Sequence, residues 1–115
     1  MIITKAQTID NKPKILVSID LKELAMYYVD VVMMYSTEDG QTAAGCVKHA
    51  FVNNLNKGAT SIVGTTQDSF SQKIGSLVGI NLTAHDGVFE VVGTGVDETT
   101  INWVLKIDII NSLIN

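Results

Sequence analysis

Residues 93–107 read GTGVDETTINWVLKI. A glycine-rich turn carrying two acids leads into a tryptophan inside an apolar run. Three readings compete: a phosphate loop, a catalytic acid pair, or the corner before the closing strand of a β-sandwich. The run itself decides. Ile101, Trp103, Leu105, Ile107 and Ile109 alternate with Asn102, Val104, Lys106, Asp108 and Ile110. A period of two is the mark of a strand with one buried face. Five large apolar side chains on that face contribute on the order of 10 kcal/mol when fully buried. A phosphate cradle needs a helix after its glycines, with the N-terminus aimed at the anion. Here a strand follows, and no Walker lysine is present. Gly93 and Gly95 are read instead as a connection in which glycine permits positive φ. Asp97 and Glu98, adjacent on that connection, are read as a solvated turn, because an acid/base pair must converge on one substrate from fixed positions.

The same alternation recurs upstream. Ile15, Val17, Ile19 and Leu21 form one face of a strand after Pro13, the single proline. VFEVV places Phe89 and Val91 opposite Val88, Glu90 and Val92, after a hairpin turn at His85-Asp86-Gly87. Before it, LVGINLTA sets Leu77, Gly79, Asn81 and Thr83 against Val78, Ile80, Leu82 and Ala84. ATSIVG is a short strand, and the following TTQDSFSQKIGS reads as polar and irregular, anchored by Phe70 and Ile74. STEDGQ is a turn. Between turn and short strand, residues 42–57 are ambiguous. Ala43, Val47, Ala50, Phe51 and Leu55 match helical spacing, with Thr42 as a possible N-cap and Gly58 as a stop.

Residues 24–35, LAMYYVDVVMMY, are rich in β-branched and aromatic types. Tyr27, Val29, Val31, Met33 and Tyr35 line one face. Tyr28, Asp30, Val32 and Met34 line the other, which is too apolar for open solvent. Such a strand is covered on both sides, by a neighbouring subunit or by the chain's own loop. Tyr28, Val32 and Met34 are the expected subunit contact. Trp103, Leu105, Ile107 and Phe89 are the expected core.

Length and composition narrow the function classes. The 115 residues fit one domain, with 1–23 as an N-terminal strand or arm and 24–115 as the sandwich. Apolar residues are 46% of the chain, and charged residues 17%, below the usual value of about 25%. Few charges are available to cover the outside, which points to a surface partly covered by other chains. The net charge is −4 and no Lys/Arg cluster occurs, which argues against nucleic-acid binding and against an anionic membrane surface. No apolar run reaches the roughly 20 residues of a membrane helix, and no secretory leader is expected from the first residues. Cys46 is the single cysteine, so neither an internal disulfide nor a cysteine-rich metal site can form. His49 and His85 are the two histidines. On a strand Cys46 and His49 point to opposite faces, and His85-Asp86 is a local pair in a turn. No catalytic, cofactor-binding or metal-ligating residues are assigned. The expected fold is all-β: a single antiparallel sandwich, jelly-roll or Ig-like, of about seven or eight strands, with room for one short helix.

The stretch FEVVGTGVDETTINWVLKIDII resembles a pattern of small virion proteins of tailed bacteriophages: a strand ending V-x-G, a short Thr-containing turn, then T-x-x-W and an alternating strand. The matching positions are Val91, Gly93, Gly95, Thr99, Thr100, Trp103, Leu105 and Ile107. YYVDVVMMYSTEDGQTAAGCVKHAFVNNLNKGATSIVGT is similar to the first half of such chains. The resemblance implies that 42–53 is a strand. It also implies a non-enzymatic structural protein: a capsid-decorating (cement) or head- or tail-fibre protein. Such a protein forms homo-oligomers, with a trimer favoured, on major capsid or other virion proteins, and is assembled in the host cytoplasm. The alternative is a receptor- or glycan-binding fibre tip. The chain departs from the pattern in its longer start and its extra polar stretch at 66–76.

Overall fold

A computed structural model describes residues 1–22, 24–56, 59–74 and 79–113. Among these residues every regular element is a strand: β1 (Ile2–Thr8), β2 (Pro13–Asp20), β3 (Ala25–Thr37), β4 (Ala43–Asn54), β5 (Ser61–Ile74), β6 (Gly79–His85), β7 (Val88–Thr94) and β8 (Ile101–Asn111). They form a five-stranded sheet, β1-β8-β3-β4-β5, and a three-stranded sheet, β2-β7-β6. All pairings are antiparallel. The chain is an all-β sandwich of eight strands. The first 22 residues supply an edge strand to each sheet, so β1 and β2 lie in different layers.

The core is the space between the layers. From the large sheet come Tyr27, Val29, Val31, Met33 and Tyr35 of β3 and Ile101, Trp103, Leu105 and Ile107 of β8. From the small sheet come Leu16, Leu82, Phe89 and Val91. Trp103 is 1% exposed, and Phe89, Leu105 and Ile107 are fully buried. Trp103 stacks on Tyr35, with ring centroids 4.9 Å apart and planes 14° apart. Its indole N–H donates to Thr8 Oγ1 at 3.0 Å, so the one polar atom of the ring is satisfied inside the core.

Turn chemistry fixes the registers. Asp86 (φ 48°) and Gly87 (φ 76°) form a two-residue loop between β6 and β7. Positive φ at both central positions is the type I′ geometry that matches strand twist. In the β3–β4 turn, Thr37 N–H donates to Thr42 O at 2.9 Å and Gly40 takes φ 73°. The Asp39 carboxylate accepts from Thr37 Oγ1 (2.6 Å) and Gln41 N–H (3.0 Å). The first of these bonds, then the second, hold its acid below the usual carboxylate range.

Three points of the sequence reading are settled or changed. Residues 43–54 form a strand, as the resemblance implied, so the helical spacing there is coincidental: Ala50 and Val52 face the core in alternation, while Phe51 between them faces out. Gly58, the expected stop, lies outside the described residues. The stretch after ATSIVG is regular: 65–74 continues β5, paired with β4 across two register shifts. The proposed anchoring by Phe70 and Ile74, like the alternation at Leu77 and Val78, falls outside the described side chains and residues.

The third change concerns the opening stretch. Positive φ occurs at Gly40, Gly64 and Gly87, not at Gly93 or Gly95. Those two glycines are needed for space. A Cβ at Gly93 would sit 2.8 Å from Leu16 Cδ1 and 3.1 Å from Trp103 Cζ2. One at Gly95 would sit 2.6 Å from Asp10 O and 2.7 Å from Thr8 Oγ1. The glycine turn is a close approach that seats Trp103 and its hydrogen-bond partner.

Candidate functional site

The outward face of the large sheet combines apolar and polar side chains in a defined lattice. Pairing of β8, β3 and β4 sets the rows. One row is Val104–Met34–Gly45 and the next Lys106–Val32–Val47. Then come Asp108–Asp30–His49 and Ile110–Tyr28–Phe51. A polar row therefore crosses the sheet with apolar rows on either side. Several of the apolar members are open to solvent: Met34 58%, Phe51 53%, Ile110 67% and Val32 39%. On β1, Ile3 extends the Lys106 row and is 62% exposed.

Within the polar row, His49 Nδ1 contacts Asp30 Oδ1. The Tyr28 hydroxyl donates to Asp30 Oδ1 at 3.2 Å and lies 3.0 Å from His49 Nδ1. The Tyr28 ring stacks on His49 (centroids 6.2 Å) and tilts against Phe51 (5.1 Å). Burial first, and then the hydrogen bond to Asp30, push the Tyr28 phenol above its usual value. Lys106 Nζ stands 3.6 Å from Asp108 Oδ2. His49 Nε2, Asp30 Oδ2 and Asp108 Oδ1 have no partner among the described residues.

The sequence reading placed Tyr28, Val32 and Met34 together, and they share this face. It set Cys46 and His49 on opposite faces if their segment is a strand, and the segment is a strand. Cys46 packs partly against the core, and burial pushes its thiol up. The Asp30–His49–Tyr28 trio was missed. The signal for it was the hairpin turn: once Thr37 and Thr42 close the loop, partners on β3 and β4 sum to 79, which puts Asp30 opposite His49.

The remaining sequence candidates lie elsewhere and stay separate. His85, on the small sheet, bonds Glu90 Oε1 through Nε2 at 2.6 Å and approaches Asp86 at 3.6 Å. The Glu90 hydrogen bond raises its basicity most, followed by the charge of Glu90, with Asp86 adding less. Asp97 and Glu98 form an exposed turn, with Asp97 accepting from Asn11 at 3.4 Å. A depression of about 230 Å³ is lined by residues of the β1–β2 connection. Lys14 there is turned onto Gln7 O at 2.8 Å. Among the described residues no group of three or more His, Cys, Asp and Glu is placed to hold a metal ion. Among the described residues no helix is long and apolar enough to cross a membrane.

No protein-family model matches the chain, and no curated protein is similar to it. Two solved structures are similar in fold. The tailspike protein of Acinetobacter baumannii phage AM24 matches 98% of this chain at 9% identity, with a TM-score of 0.51. The tailspike protein of Acinetobacter phage vB_ApiP_P1 matches 94% at 8% identity, with a TM-score of 0.48. The match takes up 26% of the first tailspike and 22% of the second. At this identity the likeness is one of fold: the eight-stranded sandwich corresponds to about a quarter of a tailspike chain.

Proposed function

We propose that this chain is a non-enzymatic structural module of a tailed-bacteriophage virion, working as a self-associating fibre, spike or capsid-decorating domain. The observation that carries the reading is the outward face of the large sheet. Met34, Phe51, Ile110 and Ile3 are all more than half exposed there. A chain with so few charges gains by covering such a face. The fold shared with part of the AM24 tailspike supports a virion setting. Mechanism in this reading is passive: shape, sheet packing and subunit burial, with Tyr28, Val32 and Met34 in the contact and major capsid or other virion proteins as further partners.

Light scattering on the purified chain tests it. A trimer, three times the 12.4 kDa chain mass, is expected, and Val32→Glu is expected to give a folded monomer. A wild-type chain that stays monomeric at high concentration removes the reading.

A second reading, a glycan- or receptor-binding fibre tip, draws on one feature. Phe51 is a half-exposed ring beside Tyr28, with His49 and Asp30 offering hydrogen bonds at its edge. Glycan-array binding by the wild type that Phe51→Ala abolishes would favour this reading over the first.

A further inference from the structure

We infer that the free edge of β1 is a strand-pairing surface held shut by Lys14 and Lys5, so that copies of this chain do not join there sheet edge to sheet edge. The inference stands apart from the face contact proposed above and holds whatever oligomer that contact gives.

The bonding phase of β1 follows from two hydrogen bonds at the ends of the β3–β8 ladder. Glu38 N–H donates to Thr100 O at 3.0 Å, and Ser112 N–H donates to Met26 O at 2.9 Å. Backbone groups alternate in direction along an antiparallel strand. The even-numbered residues of β8 therefore turn their N–H and C=O groups toward β3. The odd-numbered ones, Ile101 to Ile107, turn theirs toward β1, where they pair with Thr8, Ala6, Thr4 and Ile2. Ile3, Lys5 and Gln7 are left with backbone groups pointing away from the sheet, on the side where β1 has no neighbouring strand.

The other three edges differ from this one. β2 begins at Pro13, which has no N–H, and its register shifts between Ile15 and Val17. β5 shifts register twice, and Gly64 on it takes φ 73°. β6 lies against β5 of the other layer. Breaks and covers of this kind blunt an edge. The register of β1 with β8 is unbroken from Ile2 to Thr8, and Ile2 and Ile3 are exposed on it. Without a further device this edge would accept a second strand.

The strand it would accept is β1 of another copy. Full-length antiparallel pairing sets Ile3 of each copy opposite Gln7 of the other, and Lys5 opposite Lys5. Ile3 N–H of one copy would then donate to Gln7 O of the other. Lys14 Nζ already donates to that oxygen at 2.8 Å, and so fills the place of the incoming N–H. At the centre of the pair the two Lys5 side chains would stand side by side on one face, and like charges directly opposite destabilise a strand pair. A register that sets Ile3 against Lys5 spares this contact but leaves Gln7 unpaired and shortens the ladder. Lys14 thus closes the end of the edge and Lys5 its middle, a use of lysine that suits an exposed edge strand.

The test uses the whole chain carrying Lys5→Thr and Lys14→Thr together, with Lys5→Arg and Lys14→Arg as the control that keeps both charges. In the wild type, amide exchange followed by NMR is expected to be about tenfold or more faster at Ile3 and Lys5 than at Thr4 and Ala6. The threonine pair is expected to add one step of association, giving about twice the wild-type mass in light scattering and slowing exchange at Ile3 about tenfold or more. The arginine pair should match the wild type in both. The two lysines are exposed, so folding should survive; a glutamine pair at the same positions repeats the comparison if the threonine pair does not fold. A mass equal to that of the wild type across a concentration series overturns the inference. So does added association that leaves exchange at Ile3 unchanged, or wild-type exchange that is as slow at Ile3 and Lys5 as at Thr4 and Ala6.

Discussion

Replacing Gly95 with alanine separates the close-approach reading of the glycine turn from any reading based on flexibility. The added Cβ would lie 2.6 Å from the backbone oxygen of Asp10 and 2.7 Å from Thr8 Oγ1. Neither neighbour is the far end of a flexible side chain, so the β1–β2 connection itself must move. Overpacking of this kind costs about 1–3 kcal/mol. The displaced hydroxyl is the acceptor for the Trp103 indole, and losing that buried bond adds about 1 kcal/mol. The expected total is about 2–4 kcal/mol, a large share of the stability of a domain this size. Gly45→Ala is the control. Its Cβ would meet Met33 O at 3.7 Å and Met34 Cγ at 3.8 Å, which is ordinary contact, and its effect should lie within about 0.5 kcal/mol of zero. Urea unfolding followed by tryptophan fluorescence, at a concentration where the chain is dissociated, reads both. A Gly95→Ala variant as stable as the control would refute the reasoning.

Other outcomes follow from the same structure. Asn54 is fully buried and its amide donates to Leu21 O and Lys22 O, while its oxygen accepts from Thr60. Asn54→Ala should therefore cost about 2–4 kcal/mol in urea unfolding by leaving those groups without partners. His85 is held above its ordinary basicity by Glu90 and then Asp86. A raised folded value means that its contribution is complete below the unfolded value and is lost as pH rises through the folded one. The melting temperature should carry a downward step in that window, absent from His85→Gln. Val32→Glu should leave secondary structure and monomer melting unchanged while lowering the mass in solution; an oligomer that persists would move the contact off this face.

Much of the layering was legible because one sheet face is buried and the side-chain period in a strand is two. Ile101 to Ile107 and Tyr27 to Tyr35 could face the core in only one way. Asp86-Gly87 announced its hairpin through the demand for positive φ. Residues 43–54 were harder. β4 carries small residues, Ala43, Ala44 and Gly45, near the turn, and its apolar positions happen to fall at helical intervals too. Their strand identity comes from pairing with β3 and β5, which is a property of distant sequence. The second half of β5 was hidden for a related reason: after ATSIVG, which reads as a strand, the composition turns polar and gives no alternation signal, and the continuation is defined by its bonds to β4. Gly93 and Gly95 were placed correctly at the corner but explained wrongly. A close approach depends on what lies opposite, here Leu16, Trp103, Thr8 and Asp10, and one-dimensional spacing does not reveal that. The Asp30–His49–Tyr28 trio lay within reach, since the β3–β4 turn alone sets its register.

The claim that the outward face of the large sheet is where copies meet is tested most directly by methionine oxidation across a concentration series, read by mass spectrometry. Met34 on that face is 58% exposed in the single chain, Met33 on the opposite face only 2%, and Met1 at the chain start 77%. Met34 is expected to become protected as the chain associates, while Met33 stays protected at every concentration. Equal oxidation of Met34 in the dissociated and associated chain would contradict the account.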